Sequence, residues 1–212
     1  MGMSKTSAKP GRPSGQRRRA VRQQLLEAAR ELFTRHGFEG VSTRRLAREA
    51  DTTPAMIHYY FEDKHGLFRA LIEEMFEPRL EALEGSDDDR PLTLADFVRT
   101  QIAMFHENPW MPALVFREVI DGDDGYRTAF AQRVAGRLFP ILNAAIRSEI
   151  AKGELRADLD PVAVIISAMS LCVYPFLARP IIEAGLGQAF DDAFIERWQA
   201  HAVRMLYEGL AP

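Results

Sequence analysis

The sequence predicts an all-α protein with a small basic head at the N-terminus and a larger helical body behind it. Two observations carry the prediction. Apolar residues recur at helical spacing along most of the 212 residues, between capping and helix-ending residues. No convincing run of alternating apolar and polar residues marks a strand.

The composition is that of a globular chain, 47% hydrophobic and 27% charged. No stretch approaches the run of about 18 apolar residues that a membrane span needs. The N-terminus is basic and polar, without the apolar core of a secretory signal. A lone cysteine, Cys172, excludes an internal disulfide and a cysteine-based zinc site. A reducing cytoplasm is the expected compartment. The net charge of −3 divides unevenly, at +6 for residues 1–64 and −9 for the rest. Such a division points to a polyanion partner for the head alone.

Residues 1–16 read as a disordered basic tail. A helix is expected from Arg17, with Leu25, Ala28, Ala29, Leu32 and Phe33 on one face, ending at His36–Gly37. Thr43 is the expected cap of the next helix, with Leu46, Ala47 and Ala50 facing inward. Thr53 is the expected cap of a third, with Pro54 at its first position, where a missing N–H costs nothing. Asp63 can cap a fourth, whose Leu67, Phe68, Leu71, Ile72, Met75 and Phe76 form a wide apolar stripe. Residues 84–92 form an acidic loop. Helical segments follow at about 93–106, 110–120, 124–152, 160–183 and 191–208, punctuated at Asn108–Pro109, Gly122/Gly125, Gly153 and Gly185/Gly187.

Two short helices joined by a tight turn between Thr43 and Phe61 read as a helix-turn-helix. Ala47 supplies the small residue the crossing needs, and Ile57 the apolar plug. The turn often requires φ > 0, and Asp51 tolerates that better than most residues. The second helix would lead into the major groove with its N-terminal residues, placing Thr52, Thr53, Ala55 and Met56 at bases or phosphates. His58, Tyr59 and Tyr60 can reach phosphate oxygens, and Tyr60 reads equally well as a packing residue. Thr43 and Lys64 would clamp flanking phosphates, and Arg44 can reach backbone or base. Upstream, Pro10-Gly11-Arg12-Pro13 and Arg17-Arg18-Arg19 either enter an A·T-rich minor groove or add only salt-dependent attraction.

His36-Gly37-Phe38, Val41-Ser42-Thr43 and the run to Tyr59-Tyr60-Phe61 and Lys64 resemble the DNA-binding head of the TetR/AcrR family of bacterial transcriptional regulators. The resemblance covers about residues 20–70 and departs at Asp51, Pro54 and His58, where Gly, Lys and Tyr are frequent. It implies phosphate contacts for Tyr59 and Lys64. It further implies a three-helix DNA-binding domain (17–63) joined to a helical-bundle ligand-binding and dimerisation domain (64–212). The whole would be a ligand-responsive repressor, a homodimer joined through about 160–183 and 191–208 on a near-palindromic operator. Those segments carry apolar faces at Val162, Ile165, Ile166, Met169 and Val173, and at Phe194, Ile195, Trp198, Val203 and Leu206.

Candidate effector-pocket residues are Phe105, Trp110, Phe116, Arg117, Tyr126, Phe130, Met169, Cys172 and Phe176, each also readable as plain core. Pro140, Pro175 and Pro180 lie inside helical stretches and can bend them to open a cavity. The helix at 64–83 would transmit the effector's influence. The rivals are a ligand-insensitive DNA-binding protein and, more remotely, an enzyme. The chain has no Gly-rich phosphate loop, no His-Glu-x-x-His and no nucleophile elbow, and no cofactor or metal is expected.

Overall fold

Why the chain folds as helices is visible at their ends. The computed structural model describes residues 15–84, 92–120 and 124–210. The basic tail through residue 14, the acidic stretch at 85–91 and Gly122 lie outside the described residues. Among those described there is no strand. The chain divides into two units, one ending at Leu71 and the other beginning at Ile72.

In the first unit, helix α1 (Gly15–His36) starts two residues before the expected Arg17. It stops at Gly37, whose φ of +65° suits a residue without Cβ and whose N–H closes on the Phe33 carbonyl at 2.9 Å. Helices α2 (Thr43–Glu49) and α3 (Pro54–Phe61) follow, and α2 packs against both α1 and α3. Ser42, not Thr43, caps α2: its hydroxyl accepts the Arg45 N–H at 3.2 Å, leaving Thr43 as the first helical residue. Thr53 is the N-cap of α3 by its backbone, without a side-chain cap bond, and Pro54 opens the helix as expected. Helix α4 (Lys64–Glu84) is capped by Asp63, which accepts the Gly66 N–H at 2.7 Å. Leu25, Leu26, Ala29, Phe33, Leu46, Ala47, Ile57 and Phe68 form the core of this unit. Phe38 closes it, with its ring 5.2 Å from Phe33 and 5.9 Å from Phe68. Gly66 is forced by proximity, since a Cβ there would fall 1.8 Å from the Phe61 carbonyl oxygen.

The second unit contains the rest of α4 and the body helices. Helix α5 (Leu94–Glu107) opens with a capping box, in which Thr93 and Asp96 satisfy each other's backbone. It packs on α9 (Pro161–Leu177) and α11 (Asp192–Leu210). Buried Glu149 on α8 (Gly136–Ala151) ties three helices: it accepts the Leu94 N–H at 2.7 Å and the Tyr207 hydroxyl at 2.5 Å. Tyr207 in turn accepts from the Ala95 N–H at 3.3 Å. Burial first, and the Glu149 carboxylate second, hold the Tyr207 hydroxyl well above its ordinary pKa.

Three expected helices are irregular. The 110–120 segment is α-helical as α6 (Met111–Val115), then passes into a π-helical turn at Phe116–Ile120. The 124–152 segment begins as α7 (Asp124–Phe130), widens into a second π turn at Ala131–Ala135, then resumes as α8, which runs through Pro140. The 160–183 segment is not one helix. It breaks at Ala178 and bends by 64° into α10 (Arg179–Leu186). Pro180 explains the break, because it cannot donate to the Phe176 carbonyl and its ring would clash there. In α10 it sits in the first turn, where no donor is needed. No single helix among the described residues is long and apolar enough to cross a membrane.

Candidate nucleic-acid interface and effector cavity

The turn between α2 and α3 takes the conformation its sequence suggests. Asp51 has φ of +47°, and the Thr52 N–H returns to the Ala47 carbonyl at 2.8 Å. Fully buried Ala47 lets the two helices approach, and Ile57 and Phe61 plug α3 into the core. That packing fixes which face of α3 looks outward. Thr53, Ala55, His58 and Tyr59 are exposed, Tyr59 by 62%, while Thr52 and Met56 are half-buried. Helix α3 holds no acidic residue, and α2 brings Arg44 and Arg48 to the surface, with Thr43 half-buried beside them. Such a face repels no phosphate from within the recognition helix.

His58 is oriented. Its Nδ1 meets the Glu62 carbonyl, which only accepts, so Nδ1 carries the proton. In the neutral ring Nε2 then remains an acceptor, suited to an exocyclic amino group of a base.

Two sequence-predicted contacts are placed differently from the rest. The Lys64 ammonium donates to the Phe38 and Val41 carbonyls at 3.1 and 3.2 Å, and lies 4.0 Å from the centre of the Phe38 ring. It holds the loop between α1 and α2, leaving one of its three N–H groups for another acceptor. The Tyr60 hydroxyl is shielded from solvent and has no hydrogen-bond partner among the described residues, and the ring packs 4.9 Å from Tyr59 and 6.1 Å from Phe61. In this position the Tyr60 ring packs against its neighbours on α3. Arg45, which the sequence did not single out, donates to His36 Nε2 at 2.6 Å and so secures α2 to the end of α1.

The body encloses apolar space. One cavity of about 260 Å³ is lined by Phe105, Phe116, Phe130 and Met169, four of the residues named from sequence. Phe76 and Val173, which the sequence placed on apolar helix faces, complete much of its wall together with Leu138 and Phe139. Both π turns border it, through Phe116 and Ile120 in one and Val134 and Ala135 in the other. Widened turns of this kind recur at functional sites. A neighbouring cavity of about 220 Å³ shares Phe76, Gln101 and Leu138 and extends to Arg79, Phe97 and Thr100.

The remaining named residues do not line these cavities. Trp110 is buried, and Phe176 packs 5.7 Å from Phe105 behind the wall. Cys172 is fully buried and directs its thiol to the Val98 carbonyl, and burial pushes its pKa from 9.0 up to about 12. Arg117 reaches Glu118 at 3.3 Å instead of the cavity, and Tyr126 turns its ring to Phe130, 6.3 Å away. Aromatic content alone does not separate wall from core. The π turns would have done so, but no residue pattern marks them. Among the described residues no three His, Cys, Asp or Glu side chains converge as a metal site.

Comparison with known proteins agrees with this geometry. Residues 25–71 match the family described as bacterial regulatory proteins, tetR family. Residues 92–206, more than half of the chain, match the tetracyclin repressor-like C-terminal domain. The HTH-type transcriptional regulator RutR of Escherichia coli (strain K12) is 24% identical over 208 residues, covering 94% of this chain and 96% of RutR. The probable HTH-type transcriptional regulator YttP of Bacillus subtilis (strain 168) is 31% identical over 105 residues, which span 47% of this chain and only 51% of YttP. Among solved structures, FadR from Bacillus subtilis in complex with stearoyl-CoA superposes with a TM-score of 0.66 at 16% identity, covering 89% of this chain and 98% of that one. With a helix-turn-helix head and a matching C-terminal domain, the chain belongs to the tetR family of bacterial regulatory proteins and is a DNA-binding transcriptional regulator, not an enzyme.

Proposed function

We propose that this regulator is a cytoplasmic homodimeric repressor that releases a near-palindromic operator when a small apolar effector occupies its body. The observation that carries the reading is the outward face of α3, acid-free and presenting Thr53, Ala55, His58 and Tyr59. On it, Thr52, Thr53, Ala55, Met56 and His58 read bases, with Ala55 and Met56 suited to thymine methyl groups. Thr43, Arg44 and Tyr59 grip phosphates. Lys64 adds its remaining N–H to that grip, and Tyr60 stays with the core.

Dimerisation has a surface to use. Val162, Ile166, Ser170 and Tyr174 recur every four residues along α9 and are exposed, and Ile181, Leu186 and Met205 add apolar area on α10 and α11. Ile165, Ile195 and Leu206, expected on the same faces, are buried within the subunit.

Effector control needs a differential affinity for two states of the body. Helix α4 is the route. Beyond Ile72 it carries Glu73 and Glu77, which pair with Arg133 on the second π turn and Arg137 on α8 at 2.5 and 2.7 Å. An occupant that moves this cavity wall therefore pulls on α4.

Operator selection from a random DNA library, followed by footprinting, tests the reading. The expected result is a two-fold symmetric site with half-sites about one DNA turn apart. Binding that is salt-sensitive but indifferent to sequence would refute it.

A further inference from the structure

We infer that the body cavities select an amphipathic monocarboxylate, its hydrocarbon tail in the chamber between the π turns and its carboxylate at Gln101 and Arg79. The inference rests on the effector reading above and names the chemical class of the effector.

Gln101 lies where the two cavities join, lining both. It is only 9% exposed, and it is the one polar side chain among the residues that line the chamber between the π turns. A polar side chain in so apolar a wall favours an occupant that brings a hydrogen-bonding group to it. Arg79 lines the neighbouring cavity and gives one N–H to the Met75 carbonyl at 2.9 Å. Its fork has four more, and it has no acidic partner among the described residues. An amide and a guanidinium at one end call for an anionic oxygen pair, which a planar carboxylate supplies.

The other end excludes most alternatives. Phe116, Ile120, Val134 and Ala135 offer no side-chain hydrogen bond. A sugar or nucleobase would bury polar groups there without partners. An alkylammonium would bring a second cation to Arg79.

Calorimetric titration of the full chain with decanoate, decanol and decylammonium tests the assignment. Decanoate should bind at least about tenfold more tightly than decanol, and decylammonium more weakly than either. Arg79→Gln should erase the preference for decanoate over decanol, while Arg79→Lys keeps part of it. Gln101→Leu should weaken decanoate by about tenfold and leave Tm unchanged or higher, because the lost amide serves the ligand and not the fold. A merely structural glutamine would lower Tm when replaced. Equal binding of decanoate and decanol, or an Arg79→Gln variant that keeps the preference, would overturn the inference. So would no binding of decanoate at all. If decanoate binds with the expected pattern but leaves affinity for the selected operator unchanged, the ligand class stands and effector control of DNA binding falls.

Discussion

The head and the body place their available chemistry in opposite ways. The head displays it. Helix α3 sinks Ile57 and Phe61 and turns His58 and Tyr59 outward, so its partner meets a preformed surface. The body conceals it. Gln101, 9% exposed, and Phe105, 4% exposed, line its apolar cavity. A displayed surface follows from helical periodicity, because whatever is not buried at spacings of three and four must point away. A cavity follows from where helices fail to be regular, here at two π turns. The head is thus a consequence of pattern and the body of its interruptions.

The sharpest way to break that comparison is to injure one region and assay both. Gly66→Ala places a Cβ 1.8 Å from the Phe61 carbonyl oxygen, a backbone atom that cannot move aside cheaply. We expect a loss of about 3 kcal/mol or more and abolished operator binding. Ligand binding in the body should survive. Circular dichroism melts, operator retardation and calorimetry on the same preparation check all three, and a wild-type melt would show that the α3–α4 junction relaxes more readily than its geometry allows.

The matching injury in the body is Glu149→Leu. It strands the Leu94 N–H and the Tyr207 hydroxyl, which this carboxylate satisfies at 2.7 and 2.5 Å. Each buried group left unmet costs about 1–3 kcal/mol, so urea titration should show a loss of about 2–4 kcal/mol. Glu149→Gln keeps an acceptor for Leu94 and should lose less than half of that. Equal losses in the two variants would mean that charge, not hydrogen bonding, holds the three helices.

How much of each region could be read from sequence follows the same division. Asp51 was legible because a helix-turn-helix needs φ > 0 there and few residue types accept it; the observed φ is +47°. Pro54 and Asp63 were legible as helix starts for equally local reasons. The cap on α2 was misplaced by one residue, because Ser42 and Thr43 are both good caps and only the Arg45 N–H decides between them. Lys64 was legible as a cation, but its carbonyl partners lie 26 and 23 residues earlier, a distance no local pattern encodes. In the body, Phe105, Phe116, Phe130 and Met169 were found from side-chain type, whereas Gln101 was passed over because polar residues are poor guesses for a cavity wall. The break at Ala178 was readable in principle from Pro180, since proline belongs in a first turn and not in the middle of a helix.

Cys172 sharpens the comparison through pH. Its thiol is fully buried, with a pKa raised from 9.0 to about 12. An acid whose pKa is raised by folding stays protonated in the native state while the unfolded chain ionises. Stability is therefore lost as pH rises above 9.0, and the loss continues toward about 12. At pH 10 this one group should cost about 1.4 kcal/mol. Urea denaturation at pH 8 and pH 10 should show that extra loss in the wild type and not in Cys172→Ala. At pH 8 a thiol reagent should label the native chain only as fast as the body opens. Rapid labelling of native protein would place Cys172 on the cavity wall after all.

The smallest expected effect separates two cations of the head: Lys64, read from sequence as a phosphate clamp, and Arg44, read as reaching backbone or base. Arg44 is exposed on α2, whereas Lys64 is half-buried and committed to the Phe38 and Val41 carbonyls. If Arg44 neutralises a phosphate, Arg44→Ala should lower the slope of log affinity against log salt by about one, with Tm unchanged. Lys64→Met removes two donors from loop carbonyls and a cation from the face of Phe38, so it should lower Tm. Its effect on the salt slope should be smaller than that of Arg44→Ala, since the ammonium gives two of its three N–H groups to the protein. Fluorescence anisotropy with the selected operator at several salt concentrations, beside melts of both variants, distinguishes the roles. A Lys64→Met variant with unchanged Tm and a full unit lost from the slope would move Lys64 from loop anchor to phosphate clamp. The display of charge in the head would then extend further than the packing of its core requires.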